Sequence, residues 1–149
     1  MRNPNFYVAI YWIIKNDLWE ILFMKRKNTG FRDWGYQLPA GHLEGSEEVK
    51  IGMLRKLKEE LGVDVKKEDL EIIHTSHRNS LDKRVYIDFY LEVKKYSWKI
   101  INNEPEKCGE LKFIDIKNII KKDKEKYFGF DLEVLEKINS QENFSEIYV

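Results

Sequence analysis

Glu59 and Glu60 are adjacent carboxylates in the run Arg55-Lys56-Leu57-Lys58-Glu59-Glu60-Leu61-Gly62. A few oxygen donors on a rigid element suit a hard divalent cation such as Mg²⁺, which keeps several waters and shares its remaining positions with substrate phosphate. The spacing around them predicts a helix as that element. Val49, Met53, Leu57 and Leu61 recur every four residues, and Leu54 widens the stripe, as on one buried helical face. At about 100° per residue, Gly52, Arg55, Lys56, Glu59 and Glu60 gather on a second face. Ser46 before Glu47 and Glu48 predicts a hydroxyl cap with acids at the positive end of the helix dipole, and Gly62 predicts the stop. The same spacing suits a solvated face of Arg55–Glu59 and Lys56–Glu60 pairs, each contributing a few tenths of a kcal/mol. Gly52 asks for a further reason, because glycine inside a helix costs about 1 kcal/mol relative to alanine.

The elements that must hold this helix are legible to either side of it. Phe6 to Ile14 is aromatic and β-branched throughout, the pattern of a strand buried on both faces. Lys15-Asn16-Asp17 supplies turn chemistry, and Trp19 to Met24 predicts the second strand of a hairpin. Gln37 to Gly41 is a short extended piece after a polar loop holding Phe31, Trp34 and Tyr36. Leu70 to His77 and Arg84 to Val93 predict another hairpin, followed by a charged loop from Lys94 to Gly109. Leu111 to Ile114 reads as a short strand, Ile116 to Ile120 as a helical turn and Phe130 to Ile138 as a terminal helix. This order has no repeated βα unit, so the expectation is an α+β fold with a mixed sheet packed between helices.

Composition narrows the function classes. The chain has 149 residues, 42% hydrophobic and 13% aromatic, enough for one domain with a full core and a preformed pocket. Its 26 Lys and Arg balance 26 Asp and Glu, which argues against a nucleic-acid polymer as partner, since that affinity needs an excess of cations on one face. Cys108 is the single cysteine, which excludes an intrachain disulfide and argues against a cysteine-based zinc site. His42, His74 and His77 fit no zinc spacing and read as packing or hydrogen-bonding residues. With no apolar leader at the start and no run near the roughly 20 residues of a membrane span, the expectation is a cytoplasmic protein without a membrane partner.

The run from Gly41 to Val63 resembles the signature box of the Nudix hydrolases, G-x5-E-x7-R-E-U-x-E-E-x-G-U, where U is bulky and apolar. Gly41 matches the opening glycine, Glu47 the first acid, Arg55 the arginine, Leu57 the apolar position, and Glu59 and Glu60 the paired acids. Gly62 and Val63 match the close of the box. The departure is Lys56, which stands where the pattern has glutamate. Flanking segments extend the resemblance, through Gly30-Phe31-Arg32-Asp33 and Leu38-Pro39-Ala40 before the box and Glu104-Pro105-Glu106 after it. The resemblance implies one Nudix domain over residues 1–149, an α/β/α sandwich with the box at 41–63, similar to the MutT-like members.

It further implies a Mg²⁺- or Mn²⁺-dependent pyrophosphohydrolase acting on a nucleotide such as a (d)NTP, as a monomer or homodimer. On that reading Glu59, Glu60 and the Ala40 carbonyl hold the metal, Arg55 orients the acids, and Glu47 supports the loop and helix. Glu104 and Glu106 are both candidates for the general base. Lys56 either neutralises Glu60 or binds a substrate phosphate. Phe31, Trp34 and Tyr36, with Arg32 among them, are candidates for holding the nucleotide, since aromatic faces stack on bases with little preference; a loop packed by its own side chains is the alternative. Lys56 also motivates a second function class, a Nudix-fold module that binds a nucleotide without cleaving it. A third, isomerisation of isoprenoid diphosphates on a related fold, calls on a reactive cysteine in the core, which Cys108 in a polar loop does not supply.

Overall fold

A computed structural model describes residues 6–97, 99–119 and 121–149. The strands are β1 (Phe6–Ile13), β2 (Ile21–Arg26), β3 (Tyr36–Gln37), β4 (Ala40–His42), β5 (Leu70–Asn79), β6 (Val85–Val93), β7 (Cys108–Ile114) and β8 (Phe144–Tyr148), with helices α1 (Val49–Leu61) and α2 (Gly129–Asn139). They form a five-stranded sheet in the order β4-β1-β6-β5-β8 and a three-stranded sheet in the order β3-β2-β7. The larger sheet is mixed: β1 runs parallel to β6 and antiparallel to β4, and β5 runs antiparallel to β6 and parallel to β8.

The apolar run of β1 splits by parity between two cores, as side chains alternate across a strand. Ala9, Tyr11 and Ile13 pack with Val134 and Leu135 of α2, while Ile10, Trp12 and Ile14 pack with Met53, Leu57 and Leu61 of α1. The sheet therefore lies between the two helices, the sandwich expected from the sequence. Reading β1 as buried on both faces is correct for the same reason.

Several local expectations need correction. The expected first hairpin survives only at its tip, where Lys15 bridges Ile21 antiparallel, the Leu22 N–H donates to the Ile14 carbonyl at 2.9 Å and the Asn16 N–H to the Glu20 carbonyl at 3.1 Å, while β1 and β2 themselves lie in different sheets. Residues 37–41 are likewise not one strand. Tyr36 and Gln37 belong to the smaller sheet and Ala40 to the larger, with Leu38 and Pro39 at the crossing. Helix α1 begins at Val49 with Glu48 at the cap position and no side-chain cap, so Ser46 stands two residues ahead of that position and is exposed. The helical turn spans Ile116–Asn118, and Ile120 lies outside the described residues. Strand β7 starts at Cys108, so the cysteine is buried in a strand rather than placed in a polar loop. Strand β8 has no counterpart in the sequence reading.

Candidate functional site

A cleft of about 340 Å³ opens where the two sheets diverge. The smaller sheet contributes Met24, Arg26 and Gln37, the larger Ala40, Gly41 and His42, helix α1 Lys56 and Glu60, and the loop before β7 Glu104 and Lys107. The crossing at Leu38 and Pro39 lies between the lining residues Gln37 and Ala40, and it is fixed by the α2 side chain Asp131, whose Oδ2 accepts the Leu38 N–H at 2.9 Å.

Helix α1 is held against the β4–α1 loop by Arg55. Its Nη2 donates to Glu47 Oε1 at 2.6 Å and its Nε to Glu47 Oε2 at 3.1 Å, while Nη1 reaches Glu59 at 3.3 Å. The same guanidinium donates to the His42 carbonyl at 3.4 Å. These bonds hold the Glu47 carboxyl below the usual range and keep Arg55 more firmly charged than an ordinary arginine. Arg55 thereby joins Glu47 of the loop to Glu59 of the helix. Gly52 also finds its reason: a Cβ there would lie 2.5 Å from Leu43 Cδ2 and 2.8 Å from Glu47 Oε1. The loop needs bare backbone to close onto the helix.

Glu60 sits at the inner end of the cleft with 8% of its surface exposed, and burial pushes its carboxyl up to about 7, opposed by the nearby Lys56 ammonium. Glu59 is exposed beside it. The Lys56 Nζ lies 3.6 Å from Glu59 Oε2 and 3.4 Å from Glu60 Oε1. The loop carrying Glu104 is anchored to the end of α1, with the Asn103 N–H donating to the Glu60 carbonyl at 3.0 Å and the Ile101 N–H to the Leu61 carbonyl at 3.0 Å. That anchoring places the Glu104 charge close enough to act on Glu60. Glu106 is exposed in the turn and does not line the cleft. At the helix end Gly62 adopts φ 66°, the left-handed cap anticipated for it.

The aromatic candidates do not share one surface. Phe31 is exposed, with Arg26 over its ring at 5.8 Å, and Arg32 covers Phe128 at 4.4 Å. Trp34 and Tyr36 instead line a second cleft of about 550 Å³ together with Lys25, Lys112 and Tyr127. Tyr36 is itself a core residue, stacked on Tyr127 with ring centres 5.4 Å apart. Arg26 was missed by sequence reasoning. It lines the first cleft and is braced by Gln37 at 3.0 Å, Thr29 at 2.8 Å and the Phe31 carbonyl at 2.8 Å. Nothing in a lone Lys-Arg-Lys run marks it, because its place depends on the pairing of β2 with β3. His74 is a buried hydrogen-bonding residue, with Nδ1 2.8 Å from the Glu142 carbonyl and Nε2 2.9 Å from Ser145 Oγ. Cys108 Sγ donates to the Glu110 carbonyl at 3.3 Å, and burial pushes its thiol up, away from the reactive thiolate.

Residues 5–137 match the family model described as the NUDIX domain. The chain is 32% identical over 115 residues to the ADP-ribose pyrophosphatase of Methanocaldococcus jannaschii, an alignment covering 76% of this chain and 64% of that protein. The chain thus spans less than two thirds of that relative's length. Among solved structures, a MutT NUDIX hydrolase from Burkholderia pseudomallei superposes with a TM-score of 0.74 at 18% identity, over 89% of this chain and 98% of that one. A MutT protein from Methanosarcina mazei Go1 superposes with a TM-score of 0.76 at 16% identity, over 95% and 98%. At these identities the two structures speak to the fold.

Proposed function

Because the chain belongs to the NUDIX domain family, we propose that it hydrolyses the pyrophosphate linkage of a nucleoside diphosphate derivative in the cleft between the two sheets. The observation that carries the reading is the convergence there of Glu60 from α1 and Glu104 from the following loop, beside the cations Arg26, Lys56 and Lys107. Family members generally use divalent metal ions. Two adjacent carboxylates and the Ala40 carbonyl are hard oxygen donors, a set whose chemistry fits one ion such as Mg²⁺ or Mn²⁺. Among the described residues no three His, Cys, Asp or Glu side chains converge into a fuller cage. Such an ion, when bound, would supply charge neutralisation on the phosphates.

The remaining steps belong to the chain's own residues. Glu104 accepts the proton of the attacking water, and it is preferred to Glu106 because it alone of the two lines the cleft. Arg55 keeps Glu59 aimed along the helix face while Glu47 holds the guanidinium. Arg26 and Lys56 meet the negative phosphate oxygens as they enter. The substrate is a small nucleotide derivative, with ADP-ribose and the nucleoside triphosphates the first compounds to test. Product release from such a panel with Mg²⁺ or Mn²⁺ measures this directly, and turnover no greater than that of Glu60→Gln would falsify it.

One observation favours a second reading, binding without cleavage: the Lys56 ammonium lies against both acids at 3.4 and 3.6 Å. Calorimetry would then register nucleotide binding with no products formed. If Lys56→Glu creates turnover in a protein that otherwise only binds, position 56 is the cause.

A further inference from the structure

The helix face that carries the acids also carries two cations, and the fold uses them differently. Arg55 is spent on Glu47, Glu59 and the His42 carbonyl. Lys56 runs beneath β4 instead. A Cβ placed on Gly41 would lie 3.0 Å from its Cγ, 3.1 Å from its Cδ and 3.0 Å from its Cε. Three successive stem carbons against one glycine set the course of the side chain, since any larger residue at position 41 would displace them. The ammonium at the end of that stem lies 3.4 Å from Glu60 Oε1 and 3.6 Å from Glu59 Oε2. Both distances exceed the roughly 2.7–2.9 Å of a close charge-assisted hydrogen bond, so the ammonium is shared between the two carboxylates as a loose ion pair rather than held closely by one. It remains a positive charge facing the cleft, where among the described residues it lines the wall with Arg26 and Lys107.

We infer that Lys56 is the resident cation of the diphosphate site, neutralising Glu59 and Glu60 when the cleft is empty and turning to the phosphate oxygens when a diphosphate enters. The inference rests on the reading of this cleft as a diphosphate site. A fixed charge of this kind has two linked consequences. It lowers the affinity of the paired acids for a divalent ion added alone, because an ammonium already lies against both. It also lets the cleft hold a diphosphate without any metal, because part of the neutralising charge is covalently present.

The test uses the full chain and its Lys56→Met and Lys56→Gln variants, which keep much of the stem and remove the charge, with melting curves to confirm that each is folded. Calorimetry with inorganic pyrophosphate in excess chelator reads the anion, and titration of Mn²⁺ alone by electron paramagnetic resonance reads the metal. The expected result is pyrophosphate binding by the unmodified chain that weakens about tenfold or more in both variants, with Mn²⁺ affinity rising by a similar factor. Pyrophosphate and Mn²⁺ affinities that stay within about threefold across the three proteins would overturn the inference. Turnover of ADP-ribose and nucleoside triphosphates by the same samples separates it from the hydrolase reading. Pyrophosphate binding that depends on Lys56, with no turnover by any sample, supports the cation and removes the hydrolase. Turnover by the unmodified chain, with pyrophosphate binding indifferent to the variants, removes the cation and keeps the hydrolase.

Discussion

At the scale of single residues, the site contrasts acids placed by packing with acids placed by chance of exposure. Glu104 faces the cleft because the backbone of its loop is bonded to the last turn of α1, whereas Glu106, two residues on, points into solvent at the turn. Glu104→Gln is therefore expected to lower turnover by about 10²–10⁴, the usual worth of a general base. Glu106→Gln should stay within a factor of about three, and steady-state kinetics on both variants checks the assignment. The candidacy of both glutamates was legible in the sequence, since they flank one proline in the stretch that resembles the family's. The choice between them was not, because it depends on two hydrogen bonds to a helix some 40 residues earlier in the chain.

At the scale of elements, α1 and α2 each fix one border of the cleft, and each does so through a residue that looks out of place in a helix. Gly52 in α1 leaves room for Leu43 and Glu47. Gly52→Ala should thus lose stability by about 1–2 kcal/mol in urea unfolding, although alanine is the better helix former. Asp131 in α2 is fully buried, and burial pushes its carboxyl up to about 7. An acid raised on folding stabilises the native state below its unfolded pKa of about 3.9, and that stability is lost as pH rises through 7. Asp131→Asn, which keeps an acceptor for the Leu38 N–H, should flatten this fall between pH 4 and 7. Thermal melts across that range measure the difference between the variant and the parent. The period of α1 and its glycine stop were readable locally. Its missing hydroxyl cap was not, because the helix starts at Val49 and puts Glu48 rather than Ser46 at the cap position.

At the scale of the whole molecule, two cores share one sheet, and its strands β1 and β6 contribute side chains to both. Leu57, fully buried between α1 and the sheet, should cost about 2–5 kcal/mol on truncation to alanine, measured by denaturant unfolding. The balance of 26 cations and 26 anions predicts no salt-dependent association with duplex DNA in fluorescence anisotropy at about 0.1 M salt. By itself the sequence determined what repeats at short range: the apolar period of α1, the two-sided burial of β1, the box from Gly41 to Val63, and a mixed α+β order. These follow from local periodicity and from fixed spacing along one element. Only the tertiary structure decided that the expected first hairpin is divided between two sheets, that Arg26 and Glu104 meet Glu60 in the cleft so formed, and that Trp34 and Tyr36 line a different one. Such choices rest on which strands pair across long loops, and the pairing free energy is shared among side chains far apart in the chain.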